Sequence, residues 1–421
     1  MKIRILLLLM VLSVGSVFGQ RTCLTTEKMN ELIQADAKFA EHHRAVMNHI
    51  QTAKPENNFL ARNPNTVVTI PVVFHVLYKN ATQNISDAQI QSQLDVLNKD
   101  YRKLNTDFST VVPAYFQTYA ADMEILFCKA TKTPAGASTT GIVRISKGSS
   151  FVFGDEYYTS TGDPAWNPNK YLNVWIGILD GEYDGTLGWA YLPSAAGQAF
   201  DGFVCDYRYF GTMGTATAPY NKGRTCTHEI GHYFGLNHPW GTVNGISSTC
   251  GASNNSDGVA DTPATNHAYY GCPSYPSNTY TCTSSTHGAM FMNYMDYTDD
   301  ACMAMFSLGQ KTIVQNTLNS SRSNLLTSAA TNCSTLSVDD VQKLQAINVY
   351  PNPIKTEFFI SSPFVTIDEV EIFNINGALV KTVKPTADNY KVDVADLATG
   401  TYYLRMYSQN EFIKSDKIIK Q

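Results

Sequence analysis

A chain of 421 residues has room for two or three domains, and with 43% hydrophobic residues it can build a sizeable core. A formal net charge of −5, 16% charged residues and no long run of one sign exclude a polybasic surface for nucleic acid or acidic membranes. No nucleic-acid partner is expected. Met1 to Arg4 is basic, Ile5 to Leu12 apolar, and Ser13 to Gly19 small and apolar. Residues 1–19 therefore read as a signal peptide cut near Gly19 or Gln20, which implies secretion through the periplasm. Its apolar run falls short of the roughly 20 residues of a membrane-spanning helix, and no later segment qualifies as a transmembrane segment.

Residues 20–62 are polar and predicted helical, with Met29, Leu32, Ile33, Phe39 and Val46 as a loose apolar face. The run from Val67 to Val76 is short and β-branched, and so reads as a buried strand. Ser86 and Gln89 have capping-box spacing and open a helix carrying Ile90, Leu94, Leu97 and Tyr101. Strands are expected at 123–127, 171–176 and 202–205, and a helix from Gly223 to Leu236. A long loop follows from Gly241 to Gly288, then a closing helix from Leu308 to Leu318. Past Asn319 the composition turns Ser/Thr/Asn-rich, as in a linker. Short alternating strands then recur at 357–361, 370–374, 378–383, 390–394 and 401–407, the pattern of a small β-sandwich.

The chemistry lies in the stretch from His228 to His238. On a helix, His228 and His232 lie one turn apart on one face, so both imidazoles reach one metal ion. Gly235 lets the chain leave the helix, because positive φ costs glycine little, and the turn returns His238 as a third ligand. Three neutral nitrogens with an open position make a catalytic zinc site, not a closed structural one. Glu229 follows the first ligand and is placed to act as general base toward a water. The remaining histidines, at 42, 43, 49, 75, 267 and 287, lack ligand spacing.

Nine cysteines, an odd count, leave at least one thiol unpaired in an exported chain. Four of them, Cys250, Cys272, Cys282 and Cys302, crowd into the patternless loop. Cys128, Cys205, Cys226 and Cys333 have no assigned partners, and Cys205–Cys226 is the one pairing suggested among them.

His228-Glu229-x-x-His232-x-x-Gly235-x-x-His238 is the long zinc signature of the metzincins, and Asn293-Tyr294-Met295-Asp296-Tyr297 resembles their Met-turn. Residues 223–227, 257–263 and 293–306 resemble the pappalysin family in its cytophagalysin branch. The resemblance covers about residues 67–320 and implies a two-lobed α/β (α+β) catalytic domain that cleaves peptide bonds in proteins. It implies Met295 beneath the zinc and Tyr297 beside it. It further implies calcium at Asp257, Asp261 and Thr262, where a plain Asx-rich turn is the alternative, and disulfides Cys250–Cys282 and Cys272–Cys302.

Asp300, beside Asp299, is expected on the primed side of the cleft, where a carboxylate would favour Arg or Lys after the scissile bond. The alternative is a solvated acidic pair. Cys23 is the natural odd cysteine and would bind the zinc of a latent zymogen, resembling the cysteine switch of some metzincins; a disulfide is its alternative. Activation would cut between Leu60 and Asn63. The motifs at 349–353, 372–377, 397–405 and 417–420 resemble the C-terminal sorting domain of the type IX (Por) secretion system, whose machinery becomes an expected partner. The chain is thus divided into a signal peptide (1–19), pro-segment (20–62), metzincin domain (63–320), linker (321–342) and all-β Ig-like sorting domain (343–421). A non-catalytic surface protein that keeps the zinc helix is the competing reading, which the intact Glu229 disfavours.

Overall fold

The computed structural model describes residues 21–53, 67–241, 250, 256–282, 285–328, 332–333, 347–362, 366–375, 378–385, 390–408 and 411–421. The expected signal peptide and the activation site between Leu60 and Asn63 lie outside them. The chain forms two compact units that divide after Ser334.

The first unit opens with helices α1 (Thr25–Ala35) and α2 (Ala37–Thr52). They part at Asp36, whose extended backbone ends α1 and whose carboxylate caps α2 at the Lys38 N–H. α2 buries Ala40, Met47 and Ile50, so its apolar face runs through Met47 and not Val46.

Strand β1 (Val68–Tyr78) is the spine of a six-stranded sheet. Its first half pairs with β2 (Ile125–Lys129) and its second half with β3 (Ile142–Ser146), both parallel. On its other edge come β4 (Leu172–Gly177) and, beyond β5 (Gly188–Ala190) in chain order, β6 (Phe203–Asp206). β5 closes the sheet as its antiparallel edge. Parallel strands are covered on both faces, which explains why Val72 to Val76 forms an unbroken buried run.

Helix α3 (Asp87–Asp100) packs on β2. Ser86 caps it by accepting from the Gln89 N–H. Gln89 does not complete a capping box; its amide instead donates to the carbonyls of Phe210 and Tyr207, tying the 207–215 turn to the helix. Helix α4 (Arg224–Tyr233) packs against α3, β5 and β6. Helix α5 (Leu308–Leu318) packs on α2 and carries the complete capping box, Ser307 with Gln310.

The expected linker starts too early. Arg322 is buried within the first unit: its guanidinium pairs with both oxygens of Asp201 at 2.8 and 2.9 Å, donates to the Tyr233 carbonyl at the end of α4, and lies 3.3 Å from the centre of the Tyr233 ring. Cys333 is bonded to Cys128. Cys250 is bonded to Cys282 and Cys272 to Cys302, the pairs that the resemblance implies. The suggested Cys205–Cys226 bond is absent: the sulfurs stand 3.8 Å apart, a van der Waals contact of two buried free thiols, against about 2.05 Å for a disulfide.

The second unit is all β. One sheet runs β10-β9-β12-β13 and the other β11-β8-β7. The strands are β7 (Asn348–Tyr350), β8 (Glu357–Ser361), β9 (Glu369–Asn374), β10 (Leu379–Val383), β11 (Lys391–Asp393), β12 (Gly400–Ser408) and β13 (Glu411–Lys420). Phe358, Ile360, Val370, Ile372, Leu404 and Met406 alternate inward and form its core.

Truncating Arg322 to Ala leaves the Asp201 carboxylate buried and unpaired. We expect about 3–5 kcal/mol of lost stability in urea denaturation, against well under 1 kcal/mol for removing the exposed Lys384 partner of Glu369.

Candidate metal centre

α4 begins at Gly223, whose φ of 77° is the left-handed region, and places His228 and His232 one turn apart on its buried face. Tyr233 is its last residue. The chain then turns at Gly235, with φ of 94°, where a Cβ would also stand 2.6 Å from Ile50. Glycine is required there for conformation, and a side chain would also have to displace the end of Ile50. His238 follows, its ring stacked on Trp240 at 4.5 Å.

The three Nε2 atoms converge: 3.2 Å between His228 and His232, 3.2 Å between His228 and His238, and 3.0 Å between His232 and His238. His228 Nδ1 donates to the Tyr294 carbonyl and His232 Nδ1 to the Leu236 carbonyl, both at 2.7 Å. Those bonds fix the tautomers and leave Nε2 of each ring as a lone pair. Burial holds His228 and His238 well below the usual histidine range and His232 at about 4, so all three are neutral. Converging lone pairs repel unless a cation sits among them. A tetrahedral ion with bonds of about 2.0–2.1 Å spaces its nitrogens by roughly 3.3 Å, which these residues fit.

Cys23 Sγ is the fourth possible donor, and the four donor atoms lie within 4.8 Å of one another. It stands 3.4 Å from Glu229 Oε2. Burial pushes the Glu229 carboxyl up to about 8. The Tyr297 hydroxyl accepts from the Cys23 N–H and donates to the Cys23 carbonyl, both at 3.3 Å, and its ring rests on His238. Met295 lies beneath the helix: a Cβ on Gly231 would fall 2.3 Å from its sulfur. The Met295 N–H donates to Asn293, which is held by Gln310 of α5.

The N-terminal segment lies along the edge strand β5. Cys23 bridges Gly188 in parallel, Leu187 N–H donates to the Thr22 carbonyl, Leu24 N–H to the Gly188 carbonyl, and Ala190 N–H to Thr25 Oγ1. Arg21 pairs with Asp300 at 2.5 Å and stacks over Tyr220 at 4.9 Å. The other Asp300 oxygen accepts from the Lys222 and Arg224 N–H groups at the start of α4. Asp300 is therefore buried and paired; the solvated alternative does not hold.

Asp257, Asp261 and Thr262 do not form one donor cluster. Thr262 donates to Asp257, whereas Asp261 accepts from Ser307 and the Gly309 N–H at the start of α5. Arg21, Thr25, Gly188, Tyr220 and Trp240 went unread in the sequence. Only Arg21, two residues before Cys23, had a local signal, because a cation next to a zinc-blocking thiol belongs in the same cleft.

Residues 156–319 match the profile of the family described as pregnancy-associated plasma protein-A, the pappalysins, and residues 348–421 match that of the secretion system C-terminal sorting domain. An extracellular metalloprotease of Arthroderma benhamiae is 31% identical over 247 residues, covering 58% of this chain and 74% of that protein. The chain belongs to the pappalysin family. Among solved structures, Tannerella forsythia mature mirolysin with a cleaved peptide is 39% identical, covers 65% of this chain and all of that one, and has a TM-score of 0.58. A Tannerella forsythia promirolysin mutant is 36% identical, covers 75% of this chain and all of that one, and has a TM-score of 0.65. This pappalysin is thus a secreted metalloendopeptidase with a sorting domain, and its family implies a catalytic zinc. Among the described residues no helix is long and apolar enough to cross a membrane.

Asp296, between Met295 and Tyr297, accepts from the Tyr269 and Tyr297 N–H groups, and burial pushes its carboxyl up to about 7. The folded state then holds this proton more tightly than the unfolded state does. Its contribution to stability falls as pH rises from about 4 to about 7 and is flat above. Asp296→Asn should flatten the urea midpoint over that window, by at most about 1.4 kcal/mol per pH unit; an unchanged slope contradicts the assignment.

Proposed function

We propose that His228, His232 and His238 hold the catalytic zinc of a latent endopeptidase that cleaves before Arg or Lys, with Glu229 as general base. The observation that carries this reading is the convergence of three neutral Nε2 atoms and the Cys23 thiol on one buried point, with the Glu229 carboxyl 3.4 Å from that thiol. A zinc ion held by these residues would supply Lewis-acid chemistry to the scissile carbonyl and a water.

The chain's own residues do the rest. Glu229 takes the proton of the attacking water and passes it to the leaving amine. Tyr297, once released from the Cys23 backbone, donates to the developing oxyanion. Met295 supports the floor of the site. The Leu187 N–H and Gly188 carbonyl, now satisfied by Thr22 and Leu24, pair with a peptide backbone.

Latency follows from the same contacts. Cys23 would serve as the fourth donor to the ion, and residues 20–62 act as the pro-segment, removed by a cut between Leu60 and Asn63. Arg21 occupies the Asp300 pocket as a basic substrate side chain would, and its stacking on Tyr220 supports the Arg/Lys preference. The catalytic domain runs from residue 63 to Cys333, past the boundary first drawn at 320. Calcium at Asp257, Asp261 and Thr262 stays a proposal, in which the ion would replace the Thr262–Asp257 and Ser307–Asp261 hydrogen bonds. The sorting domain hands the chain to the type IX machinery.

A casein digest and a peptide-library profile test the reading together. Wild-type enzyme activated from the full chain should digest casein, lose the activity to a chelator, and cut before Arg or Lys. Glu229→Ala should lose at least 100-fold in rate, and Asp300→Ala should lose the basic preference, worth on the order of 2 kcal/mol. A basic preference that survives Asp300→Ala rejects the pocket.

A further inference from the structure

α1 also delivers a second cation to the catalytic unit. Lys28, on its first turn, places Nζ 5.1 Å from the centre of the Tyr183 ring and 5.8 Å from that of Trp189. The two rings stack on each other at 5.5 Å. Lys28 Nζ also donates to the Tyr183 hydroxyl at 3.3 Å, and that hydroxyl donates to Asp155 at 2.5 Å. The ammonium thus meets two π faces and, through one oxygen, a carboxylate. Glu182 adds negative charge around the same hydroxyl. Among the described residues, Lys28 has one other anionic contact, the exposed Glu31 on its own helix at 3.3 Å.

The recess stands at a definite place along the cleft. Starting from Asp300 and passing the metal centre, the segment Thr22 to Thr25 runs alongside Leu187 to Ala190. Trp189 belongs to that stretch of β5, and Tyr183 to the short helical turn just before it. A peptide with its basic residue on Asp300 lays the residues that precede the scissile bond along this same strand. They lead toward Trp189 and away from Asp300.

We propose that Tyr183, Trp189 and Asp155 form a subsite for a basic side chain on the N-terminal side of the scissile bond, which Lys28 fills in the latent chain. This rests on the reading of Asp300 as the pocket for the residue after that bond. Such a subsite recognises an ammonium or guanidinium by its charge and its contact with aromatic faces. The enzyme would then select substrates with two basic residues, one on each side of the cut.

The test uses enzyme activated from the full chain and a peptide series with Arg fixed after the scissile bond. Lys is stepped through the four positions before the bond, each paired with a norleucine control. We expect kcat/KM to rise roughly three- to tenfold for Lys over norleucine at one position. Tyr183→Leu and Asp155→Asn should each bring that ratio toward one. Asp155 is exposed, so its variant keeps the test valid should Tyr183→Leu misfold. A series in which no position separates Lys from norleucine overturns the proposal, and so does a Lys preference that both variants retain. A parallel set with Ala in place of Arg after the bond separates the two readings. If Arg still accelerates cleavage while the Lys series is flat, only the second subsite falls. If Arg confers nothing, the reading of Asp300 falls, and the subsite with it.

Discussion

Three uncharged imidazole nitrogens are held within 3.2 Å of one another in a buried site, and the catalytic unit is arranged to keep them there. Each must be deprotonated on the side facing the metal, so each needs a reason to carry its proton elsewhere. For His228 and His232 that reason is a backbone carbonyl, from Tyr294 of the Met-turn and from Leu236 of the turn after α4. The metal centre therefore depends on two loops as well as one helix. The Met-turn is braced by the Asn293–Gln310 pair, and the turn after α4 is made by a glycine whose φ of 94° strains any side chain. Arg322 accepts a further part of this load, donating to the last carbonyl of α4 from 89 residues downstream.

On the proposed reading, the N-terminal segment exploits features built for substrate: it takes the edge of β5, the Asp300 carboxylate and the side of the imidazole cluster that Cys23 faces. Because it pairs with β5 in parallel, its direction is opposite to that of a strand pairing antiparallel to this edge. On the proposed reading, a substrate runs antiparallel to β5, and a peptide held in reverse presents no bond in the right orientation to Glu229, so the segment occupies the cleft without being a substrate. Asp300 gains its place from the N-terminus of α4. The two N–H groups that hold one of its oxygens, of Lys222 and Arg224, stand at the start of the helix that carries two of the imidazoles, so the proposed specificity pocket and the metal centre share one rigid element.

Much of this was legible in the sequence, and the reasons are physical. The spacing from His228 to His238 encodes a helix face and a glycine turn, which are local, and the local geometry follows. β1, α5 and strands β8 to β12 of the sorting domain have strong periodicity and appear where the pattern puts them, whereas β7 and β13 lie outside the strands that the pattern marks. β3 and β5 are short and lack a period, so only sheet context reveals them. The linker was misplaced because Arg322 and Cys333 sit in a polar, Ser/Asn-rich stretch, yet pair with Asp201 and Cys128 more than a hundred residues away. The Gln89 amide left its capping role for the same reason: a distant turn offered more hydrogen bonds. The roles of Arg21 and Tyr220 depend on a contact across nearly 200 residues that no local pattern encodes.

Zinc-edge X-ray absorption on the full-length, zinc-loaded protein tests directly whether the three imidazoles and the Cys23 thiol share one metal ion. We expect one sulfur scatterer at about 2.3 Å beside nitrogens at about 2.0–2.1 Å, with the sulfur lost on activation. A latent protein whose zinc shows only nitrogen and oxygen neighbours would contradict that expectation.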